Sequence, residues 1–236
     1  MDALLVRAQR TDSVGDYPAF RNLLAELLEH EYEHKVSAAE QELFFSVLKD
    51  LQTVAGTFQG GVWPHELYNL EYTARNAWGR GGRDEGMAAN LVWLAQEKYP
   101  GEKIIVWAHN YHIAKNTALI VGLDARKTFN DTLLGEGTAE RLAGVCSLGF
   151  VSAEGWYHPE AYLGNLKRRD DLKTPPPASL EAHLHGAGLE HAFVNLHTLP
   201  AEPFVMGSVG HDTFSEKRWA ELYDGVFFIR AMHGLT

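Results

Sequence analysis

The chain opens on apolar residues spaced as on a helix. From Pro18 to about His34, Phe20, Leu23, Leu24, Leu27 and Leu28 fall on one side, with polar residues between them. Ser37-Ala-Ala-Glu40 reads as a capping box, in which the Ser37 hydroxyl and the Glu40 carboxylate each accept from an N–H that the first helical turn leaves unpaired. The helix it opens carries Phe44, Phe45, Leu48 and Leu51 and is expected to stop near Gly56. A third helical stretch covers about Glu66–Asn76. Together these segments define a helical subregion over residues 15–78, with a hairpin at its start. Gly79-Arg-Gly-Gly82 then breaks the chain. Asp84 is the expected N-cap of a further helix with Met87, Leu91, Leu94 and Ala95 on one face, ended by Pro100-Gly101.

Beyond Gly101 the pattern changes. Ile104-Ile-Val-Trp-Ala108 is a short, continuous, β-branched run, the signature of a strand covered on both faces. A helix is expected within Thr138–Gly144, a strand at Ser147–Ser152, and a helix opening at Ser179 after the stiff Thr174-Pro-Pro-Pro connector. Further strands are expected at Ala192–Leu196 and Gly225–Ile229. Strands separated by helices predict an α/β fold. Its sheet is expected to be largely parallel and flanked by helices, with the N-terminal helical hairpin as an insertion or lid. All of 1–236 is read as one domain.

Composition narrows the function classes. Apolar residues make up 45% and charged residues 22%, ordinary globular values. The single cysteine, Cys146, excludes an internal disulfide framework and a Cys-rich zinc site. No apolar run reaches the roughly 18 residues of a membrane span, and the first residues lack the pattern of a secretory signal. A cytoplasmic location follows as the default. The net charge of −10 and the scattered basic residues argue against nucleic acid and membrane partners. The one basic run, Lys167-Arg-Arg169, is followed at once by Asp170-Asp171. Twelve histidines point weakly toward site chemistry.

Two histidine patterns stand out. His109-Asn110-Tyr111-His112 follows the apolar run, so His109 and Asn110 would stand at the carboxyl end of a strand, where α/β sheets bind ligands. Imidazoles so placed can act as general base, as general acid or as donors to an oxyanion. The plainer alternative is a strand end satisfied by His109, with His112 exposed. The second pattern, His30-Glu-Tyr-Glu-His34, matches the helical zinc motif H-E-x-x-H with Glu31 as base. Its charged surroundings fit a solvated helix face better. His183 and His185 would splay to different faces, and His191, His197 and His211 have no evident partner. Arg83 reads equally as part of a surface ion pair and as a clamp for an anionic or carbonyl group. Trp156 and Tyr157 would line a pocket or pack a loop. Gly135-Glu-Gly137 and Gly207-Ser-Val-Gly210 are not phosphate loops, and no G-x-S-x-G elbow surrounds Ser147 or Ser152.

Three segments resemble one known family. Arg83-Asp-x-x-Met87-Ala-x-Asn90-x-x-Trp93-Leu94, Lys103-Ile-Ile-Val-Trp-Ala-His-Asn-Tyr-His-Ile113 and Leu222-Tyr-Asp-Gly-Val-Phe-Phe-Ile229 are similar, in order, to the erythromycin esterase-like proteins. The resemblance covers most of the chain after about residue 66. It implies an α/β core with a helical insertion. It also implies hydrolysis of an ester, in the named members a macrolide's macrolactone ring, with water as nucleophile. No cofactor is implied. The resemblance makes His109 and His112 catalytic cleft residues and Arg83 part of a matching motif; Asn110 and Trp156, from their places at strand ends, are further substrate-binding candidates.

The family's N-terminal Gly-Glu-x-x-His-Gly motif, associated with activating the water, does not occur in the sequence. The expectation is therefore a fragment, an N-terminally shortened relative, or a protein that has lost hydrolysis. A sheet without its first strands would expose an edge and demand a homo-oligomer or the missing N-terminal segment. The competing functions are ester hydrolysis, a non-catalytic ligand- or partner-binding remnant of the same fold, and zinc hydrolysis through His30 and His34.

Overall fold

Stripes and caps at the start of the chain fold as their spacing dictates. The computed structural model describes residues 16–29, 35–57, 62–116, 144–159, 167–207 and 213–234. It divides into two compact units, 1–90 and 91–236.

In the first unit, α1 (Tyr17–Glu29), α2 (Ala38–Ala55) and α3 (Trp63–Ala77) share one core. Phe20, Leu23 and Leu27 of α1 meet Phe44, Leu48 and Leu51 of α2 and Leu67 and Ala74 of α3. The Phe20 and Phe44 rings stack at 4.7 Å, and Trp78 meets Phe44 edge-on at 4.9 Å. Full burial of each such ring contributes about 2–3 kcal/mol. The Ser37–Glu40 capping box forms as expected: the Ser37 N–H donates to Glu40 Oε2 at 2.8 Å, and the Glu40 N–H donates to Ser37 Oγ at 3.3 Å. Gly79, Gly81 and Gly82 take positive φ, which lets the chain turn sharply after α3. The next helix, α4, begins at Arg83 and runs to Trp93, continued by a π-helical turn over Leu94–Lys98. Asp84 therefore sits inside the first turn of α4, not at its N-cap.

The second unit is mixed α/β. Strands β1 (Leu148–Tyr157), β2 (Asp170–Asp171), β3 (His191–Asn195) and β6 (Gly225–His233) form a sheet in the order β2-β1-β6-β3. A small separate sheet pairs β4 (Phe204–Met206) with β5 (Ser215–Lys217). The helix expected at Ser179 is α6 (Leu180–Gly186), capped by the Ser179 hydroxyl. Val151 and Ala153 of β1 and Val226 and Phe228 of β6 point into a core with Leu196, Trp219, Leu222 and Tyr223. Residues of the other parity make an aromatic row on the opposite face. Phe150 stacks on Phe227 at 5.5 Å, and Phe227 meets Phe193 at 5.0 Å.

The expected largely parallel sheet needs correction. Among the described residues only β1 and β6 run parallel, whereas β2 on β1 and β3 on β6 are antiparallel. The chain leaves β3 beside the start of β6, with Asn195 opposite Gly225, so the second strand must return. The expected strand at 104–108 is also absent. Residues 102–109 pair with no strand, and Ile105 and Trp107 are 92% and 85% exposed. Composition favours extension there, but a strand also requires a neighbouring backbone to bond. Among the described residues that neighbour is missing. The helix expected within 138–144 lies almost wholly outside the described residues. No described helix is long and apolar enough to cross a membrane.

Candidate functional site

Immediately after the unpaired segment, His109 caps a single helical turn, α5 (Asn110–Ile113). The Tyr111 N–H donates to His109 Nδ1 at 3.2 Å, and the His112 N–H donates to the His109 carbonyl at 2.9 Å. With Nδ1 accepting, the neutral His109 ring carries its proton on Nε2. The turn holds the two imidazoles 6.3 Å apart, centre to centre, at 73°. His109 is exposed and His112 is half-buried.

Several bonds fix this turn to the sheet. Asn110 Nδ2 donates to the Phe150 carbonyl at 2.6 Å, and the Phe150 N–H donates to Asn110 Oδ1 at 2.9 Å. The side-chain amide thus stands where the peptide of an adjacent strand would bond β1. The hydroxyl of fully buried Tyr223 donates to the Asn110 carbonyl at 3.0 Å. Ser147 Oγ donates to the Ile113 carbonyl at 2.5 Å, and the Lys115 N–H to the Leu222 carbonyl at 3.0 Å. Phe150 and Ser147 belong to the amino end of β1, so α5 lies there rather than beyond the carboxyl ends.

The same end contains a cluster that sequence reasoning did not assemble. Asp224, just before β6, accepts from Lys115 Nζ at 2.6 Å and His197 Nε2 at 2.8 Å on one oxygen. Its other oxygen accepts from the Ser147 N–H at 2.7 Å. Burial is the largest influence on this carboxyl and pushes its pKa up. The bonds from His197, Lys115 and Ser147 together outweigh burial and hold it below the ordinary value. Lys115 and Asp224 are 109 residues apart, and Asp224 and His197 are 27 apart, spacings that carry no periodic signal.

A second carboxyl behaves oppositely. Glu181 is fully buried in α6; its Oε1 accepts from the Gly207 N–H at 2.7 Å, and Oε2 has no hydrogen-bond partner among the described residues. Desolvation raises its pKa above the ordinary carboxylate value.

Not every expected site residue joins this cluster. Trp156 stands near the carboxyl end of β1, about 20 Å along the strand from Phe150 at the usual rise per residue. Arg169 lies over its ring at 4.4 Å, with His158 and His233 at 5.1 and 5.9 Å. Arg83 belongs to unit 1–90, where its guanidinium donates to Asp84 at 2.9 Å. Asn110 directs both ends of its amide to Phe150, so its geometry is that of an anchor. The zinc pattern His30–His34, the Gly135–Gly137 loop and His211 lie outside the described residues, as does most of Gly207–Gly210. Among the described residues no three His, Cys, Asp or Glu side chains are grouped to hold a metal ion.

Comparison with known proteins adds a family and a fold. The family model described as Erythromycin esterase matches residues 7–232. The chain is 36% identical over 126 residues to the Bacillus subtilis (strain 168) protein described as "Putative hydrolase YbfO", covering 49% of this chain and 26% of that protein. It is 25% identical over 152 residues to the Escherichia coli erythromycin esterase type II, covering 63% of this chain and 36% of that protein. The matched stretches thus span about a quarter to a third of these relatives' lengths. Two solved structures share the fold over 98% of the chain. One is a succinoglycan biosynthesis protein (TM-score 0.59, 16% identity, 61% of that chain covered) and the other a Bacillus cereus protein (TM-score 0.57, 13% identity, 63% covered).

Proposed function

The chain belongs to the erythromycin esterase family, and on that premise we propose that it is a hydrolase that cleaves a carboxylic ester with water as the nucleophile. The reaction is placed at the amino end of β1. The observation that carries this reading is the His109–His112 pair, held 6.3 Å apart on a turn that Asn110 and Tyr223 anchor. His109, with its proton on Nε2, suits donation to the oxyanion that develops on the ester carbonyl. His112 suits proton delivery to the departing alkoxide. The products are a carboxylic acid and an alcohol.

The name of the Escherichia coli relative makes a macrolactone the first complex substrate to try. Opening a macrolide's ring in a cell would contribute to antibiotic resistance. Arg83 and Trp156 remain substrate-binding candidates to be tested by substitution, outside the cluster on which this proposal rests.

The experiment is hydrolysis of p-nitrophenyl acetate and of a macrolide by the wild type, His109→Ala and His112→Ala. Each substitution is expected to lower kcat by about 100-fold or more, the scale of a lost proton-transfer group, with the chain still folded; His109→Ala also loses the α5 cap, at about 1 kcal/mol. Wild-type rates in both variants would overturn the assignment.

A second reading is favoured by the exposure of Ile105 and Trp107. Apolar side chains so open to water suit a surface that a partner or ligand covers. In that case the chain binds without turnover, either as part of a homo-oligomer or with a further segment of the same fold. Measurable binding of macrolides or esters without product formation would favour it.

A further inference from the structure

The first unit carries a polar feature that the proposed hydrolysis does not use. Between α2 and α3 runs an open groove of about 380 Å³. Phe45, Leu48, Lys49 and Gln52 line it from α2, Glu71 and Arg75 from α3, and Arg80 from the turn beyond. We propose that this groove binds a small organic anion, a carboxylate on an apolar body, held by Lys49, Arg75 and Arg80 over Phe45 and Leu48. The inference stands independently of the hydrolase reading, because every residue it uses belongs to unit 1–90.

Helical spacing builds the two walls. Phe45, Leu48, Lys49 and Gln52 stand at i, i+3, i+4 and i+7 on α2, and Glu71 and Arg75 lie four apart on α3. Each end of the groove is tied by a side-chain amide. Gln52 Nε2 donates to Glu71 Oε2 at 2.9 Å, and Arg80 Nε donates to Gln41 Oε1 at 2.7 Å. These ties pair 52 with 71 and 41 with 80, so the helices run in opposite directions. Lys49 and Arg75 fall between the ties in that register.

Charge gives the groove its sign. The chain as a whole is acidic, with a net charge of −10, yet here three cations meet one carboxylate. That carboxylate, Glu71, is bonded by the Gln52 amide and not by a cation. Arg80 gives its Nε–H to an amide oxygen and lies over the Phe45 ring at 5.1 Å. Neither contact neutralises the guanidinium, and its two terminal amino groups have no partner among the described residues. Arg75 stands 3.7 Å from Glu85, an ion pair longer than a hydrogen bond. The exposed Lys49 ammonium has no ion-pair partner among the described residues. Cations whose partners are amides and ring faces keep their field for an incoming anion.

The same residues set the class of ligand. A guanidinium laid on a ring offers its terminal N–H groups as a fork, which takes a carboxylate through two parallel bonds. Lys49 adds a point charge from α2. Buried Leu48 and the half-buried Phe45 ring form an apolar floor for a hydrocarbon body. The volume lies within the range of small-molecule sites, about 300–1,000 Å³.

The test is calorimetric titration of octanoate into the full chain at low salt. Saturable binding of one octanoate per chain is expected, weakening as ionic strength rises. Lys49→Ala and Arg80→Ala should each weaken it by about tenfold, the scale of one lost charge-assisted hydrogen bond. Lys49→Glu should abolish it. Glu71→Gln removes the groove's own negative charge and should tighten binding by about two- to threefold. Lys49 and Arg80 are exposed, so these variants remain folded, which a melting transition without octanoate checks. 1-Octanol has the body without the charge, and inorganic phosphate the charge without the body; each should bind at least about tenfold more weakly. No binding by the wild type, or equal binding by Lys49→Glu and Arg80→Ala, overturns the proposal. Octanol bound as tightly as octanoate overturns the role of the cations. Phosphate bound as tightly overturns the role of the apolar floor.

Discussion

The two ends of β1 hold their side chains by different physics. At the amino end, polar groups are bound to backbone and to each other. Asn110 grips the Phe150 peptide, Tyr223 grips Asn110, and Asp224 gathers Lys115, His197 and Ser147. At the carboxyl end, Trp156 is held by ring contacts and by Arg169, whose side chain is 57% exposed. Directional bonds to partly buried atoms fix a geometry, as chemistry requires. Exposed stacking leaves a surface that can adapt, as binding tolerates. The histidine pair and the Asp224 cluster share the first kind of support, which favours the proposed site at that end.

This contrast can be broken by substitution. The largest effect is expected from Asp224→Ala, which leaves the Lys115 ammonium and the Ser147 N–H unpaired at a partly buried site. A loss of about 3 kcal/mol is expected in chemical denaturation, near the lower end for a broken buried ion pair. Asn110→Ala removes both bonds to Phe150 and should cost about 1–2 kcal/mol. It should also depress ester turnover, because the turn carrying His109 and His112 loses its anchor. At the opposite end, Arg169→Ala removes one exposed cation–π contact and an exposed ion pair with Asp171 at 3.6 Å, and should cost no more than about 1 kcal/mol, with turnover unchanged.

The Asp224 carboxyl is held below its ordinary value, so its stabilisation is complete above that value of 3.8 and is lost as the pH falls through its folded-state pKa. Glu181 is raised, so its contribution is complete below its ordinary 4.5 and is lost as the pH rises through its folded-state pKa. Melting temperature measured from pH 2 to pH 8 should therefore respond in opposite ways. Asp224→Asn should flatten the acid limb, and Glu181→Gln should reduce the loss above pH 4.5.

How much of this was legible in the sequence follows from how local each feature is. The Ser37–Glu40 box and the stripe from Phe44 to Leu51 are contained in one helix, so spacing alone defines them. Strands are expected at 104–108 and at 147–152, yet only the second forms, within Leu148–Tyr157. The difference lies in β6, some seventy residues beyond β1. His109 and His112 could be singled out because they lie three positions apart. Asp224, Lys115 and His197 could not, because their meeting depends on where β3 ends and β6 begins. The anchoring of α5 at the amino end of β1 was hidden for the same reason: Asn110 reaches across 40 residues to Phe150.

We propose that turnover belongs to the amino end of β1 and not to its carboxyl end. The most direct test is the rate of p-nitrophenyl ester hydrolysis by His112→Ala and by Trp156→Ala, each compared with wild type at neutral pH. A loss of about 100-fold is expected for the first, the scale of a proton-transfer group, and a rate within a factor of about two for the second. An active His112→Ala beside an inactive Trp156→Ala would contradict it.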